Sequence, residues 1–375
     1  MGHPDLDRLL AMLAALDGSD LHLKAGAPPR VRVDGALRTL EGEPSLSAEQ
    51  TEAMAEAILP PELREEFRRR HEADFAYSVP GLGRFRTNAY RQRGSVALAM
   101  RRVRSVASGL RELGLPEVVR RLAEERRGLV LVTGPTGSGK STTLAAMVDH
   151  INHTWPCHVV TIEDPVEYLH RDDLASIDQR EVGFDTESFA SAMRVVLRQD
   201  PDVILVGEMR DQETVYTALT AAETGHLVLS TLHTTTATET VNRVVDLFPP
   251  HQQGQIRTTL ASCLKGVVCQ RLLPRADGRG RVPAVEVLVV NGRIQQAIEE
   301  PELTSTIDQI MAEGDWYGMQ TFDQALVELL AQGVIDLKVA MGAASNPHDL
   351  KVMLERRGLV RTGVTSSSAA VPAVG

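Results

Sequence analysis

Gly134-Pro-Thr-Gly-Ser-Gly-Lys-Ser141 meets the pattern G-x-x-x-x-G-K-[ST] at every fixed position. Before it runs Leu129-Val-Leu-Val132, a short apolar segment with β-branched residues that reads as a buried strand. After it, Thr142-Thr-Leu-Ala-Ala-Met-Val148 reads as a helix. In that setting Gly134, Gly137 and Gly139 let backbone N–H groups turn around phosphate oxygens, and the helix N-terminus adds partial positive charge. Pro135, Thr136, Ser138 and Thr142 complete the expected cradle. Lys140 is placed to reach β- and γ-phosphates and the Ser141 hydroxyl to ligate Mg2+. A glycine-rich strand-to-helix turn without chemical meaning would not need the lysine and the hydroxyl together.

Working outward, the downstream chain alternates strand and helix, which implies a mostly parallel sheet covered on both faces. Val159-Val-Thr-Ile162 ends in Glu163-Asp164-Pro165, Val203-Ile-Leu-Val206 ends in Gly207-Glu208, and Leu227-Val-Leu-Ser-Thr-Leu232 ends in His233. Ligands of open α/β sheets sit outside the carboxyl ends of the strands. The expectation is therefore that the P-loop, Glu163, Glu208 and His233 share one edge. Phosphoryl transfer to water needs a metal, a water-orienting base and added positive charge. Glu208 is assigned to the Mg2+ shell together with Ser141, and Glu163 to the base. His226 and His233 bracket the third strand. They read either as structural histidines or, taken as a pair at the carboxyl edge, as sensors of the γ-phosphate.

Upstream, Leu6, Leu9, Leu10, Leu13 and Leu16 form one helical stripe. Ser19-Asp-Leu-His-Leu23 and Arg30-Val-Arg-Val33 alternate as half-buried strands, and Asp34-Gly35 marks a hairpin turn. Residues 48–71 return to helical spacing, interrupted at Pro60-Pro61, and further strands run from Phe75 to Val103 around Gly81-Leu-Gly83. This α+β module, 1–104, precedes a Ser- and Gly-bearing linker, 105–114. The nucleotide domain, 115–290, is followed by a helical section, 291–360. The tail, 361–375, has the composition of a disordered end. The arginines at 84, 86, 91, 93, 101, 102 and 104 read either as a solvated face or as fingers offered to a neighbouring subunit's nucleotide.

Bulk composition narrows the alternatives. Of 375 residues 43% are hydrophobic, and 40 Lys and Arg stand against 50 Asp and Glu, a net charge of −10. That balance disfavours an extended nucleic-acid footprint, and with it a DNA translocase. Cys157, Cys263 and Cys269 form no C-x-x-C pair, so neither a disulfide framework nor a zinc ribbon is indicated. No stretch approaches ~18 uninterrupted apolar residues, and a cytoplasmic chain is expected. The guanine-specifying Asn-Lys-x-Asp motif is missing. An ATP-binding regulator without turnover is the remaining alternative, and the acidic residues at 163 and 208 speak against it.

With these residues placed, the sequence resembles the secretion-type ATPase superfamily and, within it, the PilT family of type IV pilus retraction motors. The motifs that carry the resemblance are Ser19-Asp-Leu-His22, Arg32-Val-Asp-Gly35, the P-loop, Thr161-Ile-Glu-Asp-Pro-Val-Glu167, Asp200 to Asp211, Thr224 to His233 and Tyr317-Gly-Met-Gln-Thr-Phe-Asp323. The resemblance implies a PAS-like N-terminal domain, a RecA-like ATPase domain and a homohexameric ring. It further implies ATP and Mg2+ as ligands, and a place on the cytoplasmic face of the membrane against a pilus platform protein. It supports Lys140, Ser141, Glu163, Glu208, His226 and His233 in the roles above and singles out Arg86, Arg93 and Arg101 as trans fingers. The short N-terminal module and the lack of a four-cysteine zinc insert favour retraction over assembly. One departure stands out. The family's Ala-Ile-Arg-Asn-Leu-Ile-Arg-Glu is here Arg293-Ile-Gln-Gln-Ala-Ile-Glu-Glu300, with Gln295 and Glu299 in place of both arginines.

Overall fold

The computed structural model describes residues 2–105 and 108–360, and the chain divides into two compact units. The first gathers the described residues up to 105 together with Pro165–Arg171 and Gly183–Asp185; the second holds Ser108–Asp164, Asp172–Val182 and the chain from Thr186. Among the described residues no helix is long and apolar enough to cross a membrane.

The first unit opens with helix α1 (Pro4–Ala15), whose Leu6, Leu9, Leu10 and Leu13 are buried. Leu16 falls off that stripe. The helix stops at Ala15, Asp17 turns the chain at φ 48°, and Leu16 is left 49% exposed. Strands β1 (Asp20–Lys24), β2 (Arg30–Val33) and β3 (Ala36–Thr39) are followed by helices α2 (Ala48–Ile58) and α3 (Arg64–Arg70). Pro60 and Pro61 separate the two helices, because proline withholds the donor a continuing helix needs. Strands β4 (Glu72–Val79), β5 (Gly83–Gln92) and β6 (Ser95–Arg102) complete an antiparallel sheet of order β3-β2-β1-β6-β5-β4. Positive φ at both central residues makes Asp34-Gly35 and Arg93-Gly94 tight hairpin turns matched to the strand twist. Leu21, Val31, Leu98 and Met100 pack with the leucines of α1 and with Met54 and Ile58 of α2. The alternation of side chains puts Asp20, Arg86 and Arg101 on the other face. A two-residue strand, β7 (Arg104–Ser105), pairs in parallel with β10 (Tyr168–Leu169), which ties the 165–171 segment to this unit.

The second unit follows helix α4 (Glu117–Ala123) with strand β8 (Gly128–Thr133), helix α5 (Lys140–Thr154), β9 (His158–Glu163) and β11 (Ser176–Glu181). Helix α6 (Phe189–Val196), β12 (Val203–Val206), α7 (Gln212–Glu223), β13 (Leu227–Leu232), α8 (Ala237–Asp246) and α9 (Pro250–Cys263) come next. The sheet order is β11-β9-β12-β13-β8-β14-β15, with β14 (Leu264–Pro274) parallel to β8 and β15 (Arg281–Val289) antiparallel to β14. Every residue of β8, β12 and β13 is buried, as a sheet covered on both faces requires. Alternate residues feed two cores: Val130, Val132 and Val159 pack with α4 and α5, while Leu129, Leu131 and Val160 pack with α6 to α9.

Two sequence boundaries shift. The segment read as a linker, 105–114, is in large part the start of the second unit, because Leu110 and Leu115 bury their side chains in its core. The helical section after 291 belongs to the same unit. Helices α10 (Gly292–Glu299) and α11 (Ile307–Ala312) join the main core. Helices α12 (Phe322–Ala331), α13 (Leu337–Ala343) and α14 (Pro347–Arg356) cover Leu273, Val282 and Ala284 of the β14–β15 hairpin. The 361–375 tail lies outside the described residues.

Candidate active site

Three glycines of the loop after β8 have positive φ: Gly134 (140°), Gly137 (80°) and Gly139 (94°). At two of them the space is closed as well. A Cβ on Gly134 would lie 2.3 Å from the Gln270 carbonyl oxygen, and one on Gly139 2.7 Å from Gln270 Nε2. Gln270 clamps the loop from β14: Nε2 donates to the Ser138 carbonyl at 2.9 Å, and Oε1 accepts from Thr143 Oγ1 at 2.8 Å. Helix α5 starts at Lys140 with no side-chain cap, which leaves first-turn N–H donors for an anion. The Ser138 hydroxyl is buried without a hydrogen-bond partner. A loop shaped by glycine, an uncapped helix start and an unpaired buried hydroxyl are what a phosphate group would complete.

Lys140 reaches over this loop. Its Nζ donates to the Gly134 carbonyl at 2.7 Å and lies 3.4 Å from His233 Nδ1. His233 Nε2 is 3.0 Å from a Glu208 oxygen, whose second oxygen accepts from Arg210 at 2.7 Å. A neutral His233, accepting at Nδ1 and donating at Nε2, satisfies both neighbours at once. Burial pushes the Glu208 carboxyl up, but Arg210, His233 and Lys140 outweigh it and hold the group below its usual range. Burial draws Lys140 down, partly offset by Glu208. Glu208 follows β12 through Gly207, whose N–H donates to the Ile162 carbonyl at 2.7 Å and whose carbonyl accepts from Thr231 Oγ1 at 2.6 Å. The carboxylate is therefore fixed between the neighbouring strands β9 and β13. Glu163 closes β9, and one of its oxygens accepts from Thr161 Oγ1 at 2.6 Å and from Gln179 Nε2 at 3.1 Å. Ser141 is solvent-exposed in the first turn of α5.

The parallel register thus collects the P-loop, Glu163, Glu208 and His233 at one sheet edge. His226 departs from the expectation. It precedes β13, at the amino edge, where Nδ1 is 3.0 Å from the Ala221 carbonyl oxygen. The strand Leu227–Leu232 separates the two histidines, so they do not share an edge within one chain. The arginines lie in the first unit. Arg86 and Arg101 are direct cross-strand partners on β5 and β6. Arg101 Nε is 2.7 Å from Asp20, Arg86 is 3.3 Å from Glu167, and Arg93 occupies a hairpin turn at φ 50°. The residues not foreseen are Arg210, Gln270, Thr143, Thr161 and Gln179. Arg210 carried a signal, two positions after Glu208 in one motif; Gln270 carried none, because its partners are remote in sequence.

A P-loop after β8, an acidic residue just past β12, one strand removed from it, and a mostly parallel sheet of this order define a RecA-like nucleoside triphosphatase that follows a PAS-like α+β unit in the chain. The chain belongs to the type II/IV secretion system protein family, which matches residues 84–338. It is 45% identical to the type IV pilus retraction ATPase PilT of Pseudomonas aeruginosa, over 92% of this chain and 99% of that one. It is 40% identical to the type IV pilus ATPase PilU of the same organism, over 94% and 91%. A crystal structure of the pilus retraction motor PilT with bound ADP superposes with a TM-score of 0.84 at 46% identity, covering 92% of this chain and 98% of the other. The Legionella pneumophila ATPase DotB gives 0.78 at 28% identity, over 92% and 97%.

Proposed function

We propose that this chain is an ATP-hydrolysing motor that drives type IV pilus retraction, working as a homohexamer against an inner-membrane platform protein. The observation that carries the catalytic part is the Lys140–His233–Glu208 contact chain lying across a phosphate-shaped loop. In this reading Lys140 exchanges its loop carbonyls for phosphate oxygens. Its ammonium is partly desolvated, which strengthens its pull on an anion. The Ser141 hydroxyl and the Glu208 carboxylate would hold Mg2+, which when bound would supply charge neutralisation on the transferring phosphates. Glu163 accepts the proton of the attacking water, held in orientation by Thr161 and Gln179. His233 bridges Lys140 and Glu208, and so senses the charge between them. Arg86, Arg93 and Arg101 are the candidate fingers from a neighbouring subunit. The match along nearly the full length of PilT supports the retraction assignment, together with a place peripheral to the cytoplasmic face of the membrane.

The test is steady-state phosphate release from purified protein with ATP and Mg2+. Lys140→Ala is expected to abolish release while leaving the circular dichroism and melting profile of the wild type, since the ammonium contacts only loop carbonyls and His233. Wild-type turnover in that variant would sink the assignment.

A further inference from the structure

Within the run Tyr317 to Asp323, Gln320, Thr321 and Asp323 each hold a definite partner. Gln320 pairs through its backbone with Val287 of β15 at 2.9 and 3.1 Å and donates its side chain to the Val285 carbonyl at 2.6 Å. Thr321 caps α12 in a capping box with Gln324. Asp323 accepts from the Ser345 and Asn346 N–H groups at 2.8 and 3.1 Å. The run is thus a dock that seats the first turn of α12 on β15.

What α12 is seated upon is Glu286. This β15 carboxylate is 5% exposed; burial pushes it up, and the backbone N–H groups of Ala237 and of Phe322, the first residue of α12, offset part of that rise. It accepts from the N–H of Ala237, the first residue of α8, at 2.7 Å. The N-terminus of α8 therefore bonds this buried side chain directly and that of α12 lies beside it, and a carboxylate complements both. Burying a carboxylate in a core costs free energy unless such partners surround it. An apolar residue would fill the space without that cost, but it would leave the Ala237 N–H unpaired.

The consequence runs toward the site. Helix α8 begins only four residues after His233, and the intervening loop is tied to it. Thr234 Oγ1 meets Thr240 Oγ1 at 2.7 Å, Thr240 Oγ1 donates to the Thr236 carbonyl at 2.7 Å, and Glu239 accepts from the Thr235 N–H at 2.7 Å. Displacing the start of α8 displaces His233. On its other side Glu286 stands directly across from Cys269 of β14, whose sulfur accepts from Thr133 Oγ1 at 3.2 Å. Thr133 is the residue before Gly134. Glu286 is thus level with the base of the P-loop and references the His233 loop to it.

We propose that Glu286 is the positioning residue that sets His233 between Lys140 and Glu208, and that the Tyr317–Asp323 run serves it by holding α12 in place. This rests on the reading of the P-loop edge as a hydrolytic site. The test uses the full chain and four variants: Glu286→Ala, Glu286→Gln, His233→Ala and the double His233→Ala/Glu286→Ala. Readouts are kcat and KM for ATP, equilibrium affinity for a fluorescent ADP and the melting temperature. Glu286→Ala is expected to lower kcat about tenfold with ADP affinity kept within threefold, and Glu286→Gln, which keeps one carbonyl acceptor, to recover part of the loss. In the His233→Ala background Glu286→Ala is expected to change kcat by less than twofold. Multiplication of the two losses in the double variant overturns the inference and leaves the site intact. A fall in melting temperature with kcat unchanged overturns it as well. Wild-type kcat in His233→Ala overturns the histidine's place in the hydrolytic site, and this inference with it. Should Glu286→Ala fail to fold, the cycle is run with Glu286→Gln, and the same additivity decides.

Discussion

Glu163 closes strand β9, and Glu208 stands two residues past the end of β12. Glu163 accepts from Thr161 Oγ1 and Gln179 Nε2, which orient the carboxylate. Glu208 is ringed by Arg210, His233 and, further off, Lys140. The donors on Glu163 hold a carboxylate in one orientation, as a base needs, and the cations beside Glu208 favour the ionised form that a metal ligand needs. Glu163→Gln is therefore expected to bind ATP with Mg2+ at near-wild-type affinity and to hydrolyse it on the order of a hundredfold more slowly, the usual worth of a positioned base. Glu208→Gln is expected to weaken metal-dependent binding in addition. Equilibrium nucleotide binding measured beside phosphate release separates the two, and equal, mild effects in both variants would refute these roles.

At the scale of elements, helix α10 raises the question of the missing arginines. Strand β15 runs antiparallel to β14 and β8, so its end at Val289 pairs with Gly266 near the start of β14, at the edge opposite the P-loop. Helix α10 starts there. Its Ile294, Ala297 and Ile298 are buried, and Gln295 and Glu299 are exposed. The Gln295 side chain donates from Nε2 to the Ala261 carbonyl at 3.3 Å. Charge on this face belongs to whatever the helix meets, since like charges across an interface are strongly disfavoured. Restoring Gln295→Arg with Glu299→Arg is expected to leave basal ATPase activity within about twofold, under ~0.5 kcal/mol of barrier. The same change is expected to alter binding to the cognate platform protein, or pilus retraction, far more. Collapse of hydrolysis with unchanged platform binding would place α10 inside the catalytic cycle instead.

At the scale of the whole molecule, the arginine-bearing sheet and the nucleotide edge belong to different units. Arg101 is already paired with Asp20 and Arg86 with Glu167. In the proposed ring these pairs give way to a neighbour's phosphates. If they do, a mixture of subunits lacking Arg86, Arg93 and Arg101 with Lys140→Ala subunits should regain part of the ATPase activity. Each supplies what the other lacks at a shared interface. No recovery at any ratio, with co-assembly verified, would return the arginines to a role within their own subunit.

The contiguous features of this chain were legible in its sequence. The phosphate cradle is one run of eight residues between a strand and a helix, set by backbone geometry that glycine alone satisfies at Gly134 and Gly139. Buried strands announce themselves as apolar runs, and residues just past their carboxyl ends share an edge once the sheet is parallel, as Glu208 and His233 do. What adjacency could not decide was left to tertiary structure. His226 and His233 look alike in sequence, yet the direction of β13 sends them to opposite edges. The β14–β15 hairpin lacked a two-residue turn signal, since Arg275 to Gly280 form a longer loop. Gln270 reaches a loop 132 residues away, and Glu286 holds the start of α8, 49 residues before it. Such contacts depend on which strands lie side by side, and that order comes from long crossovers and shared cores rather than from any local preference.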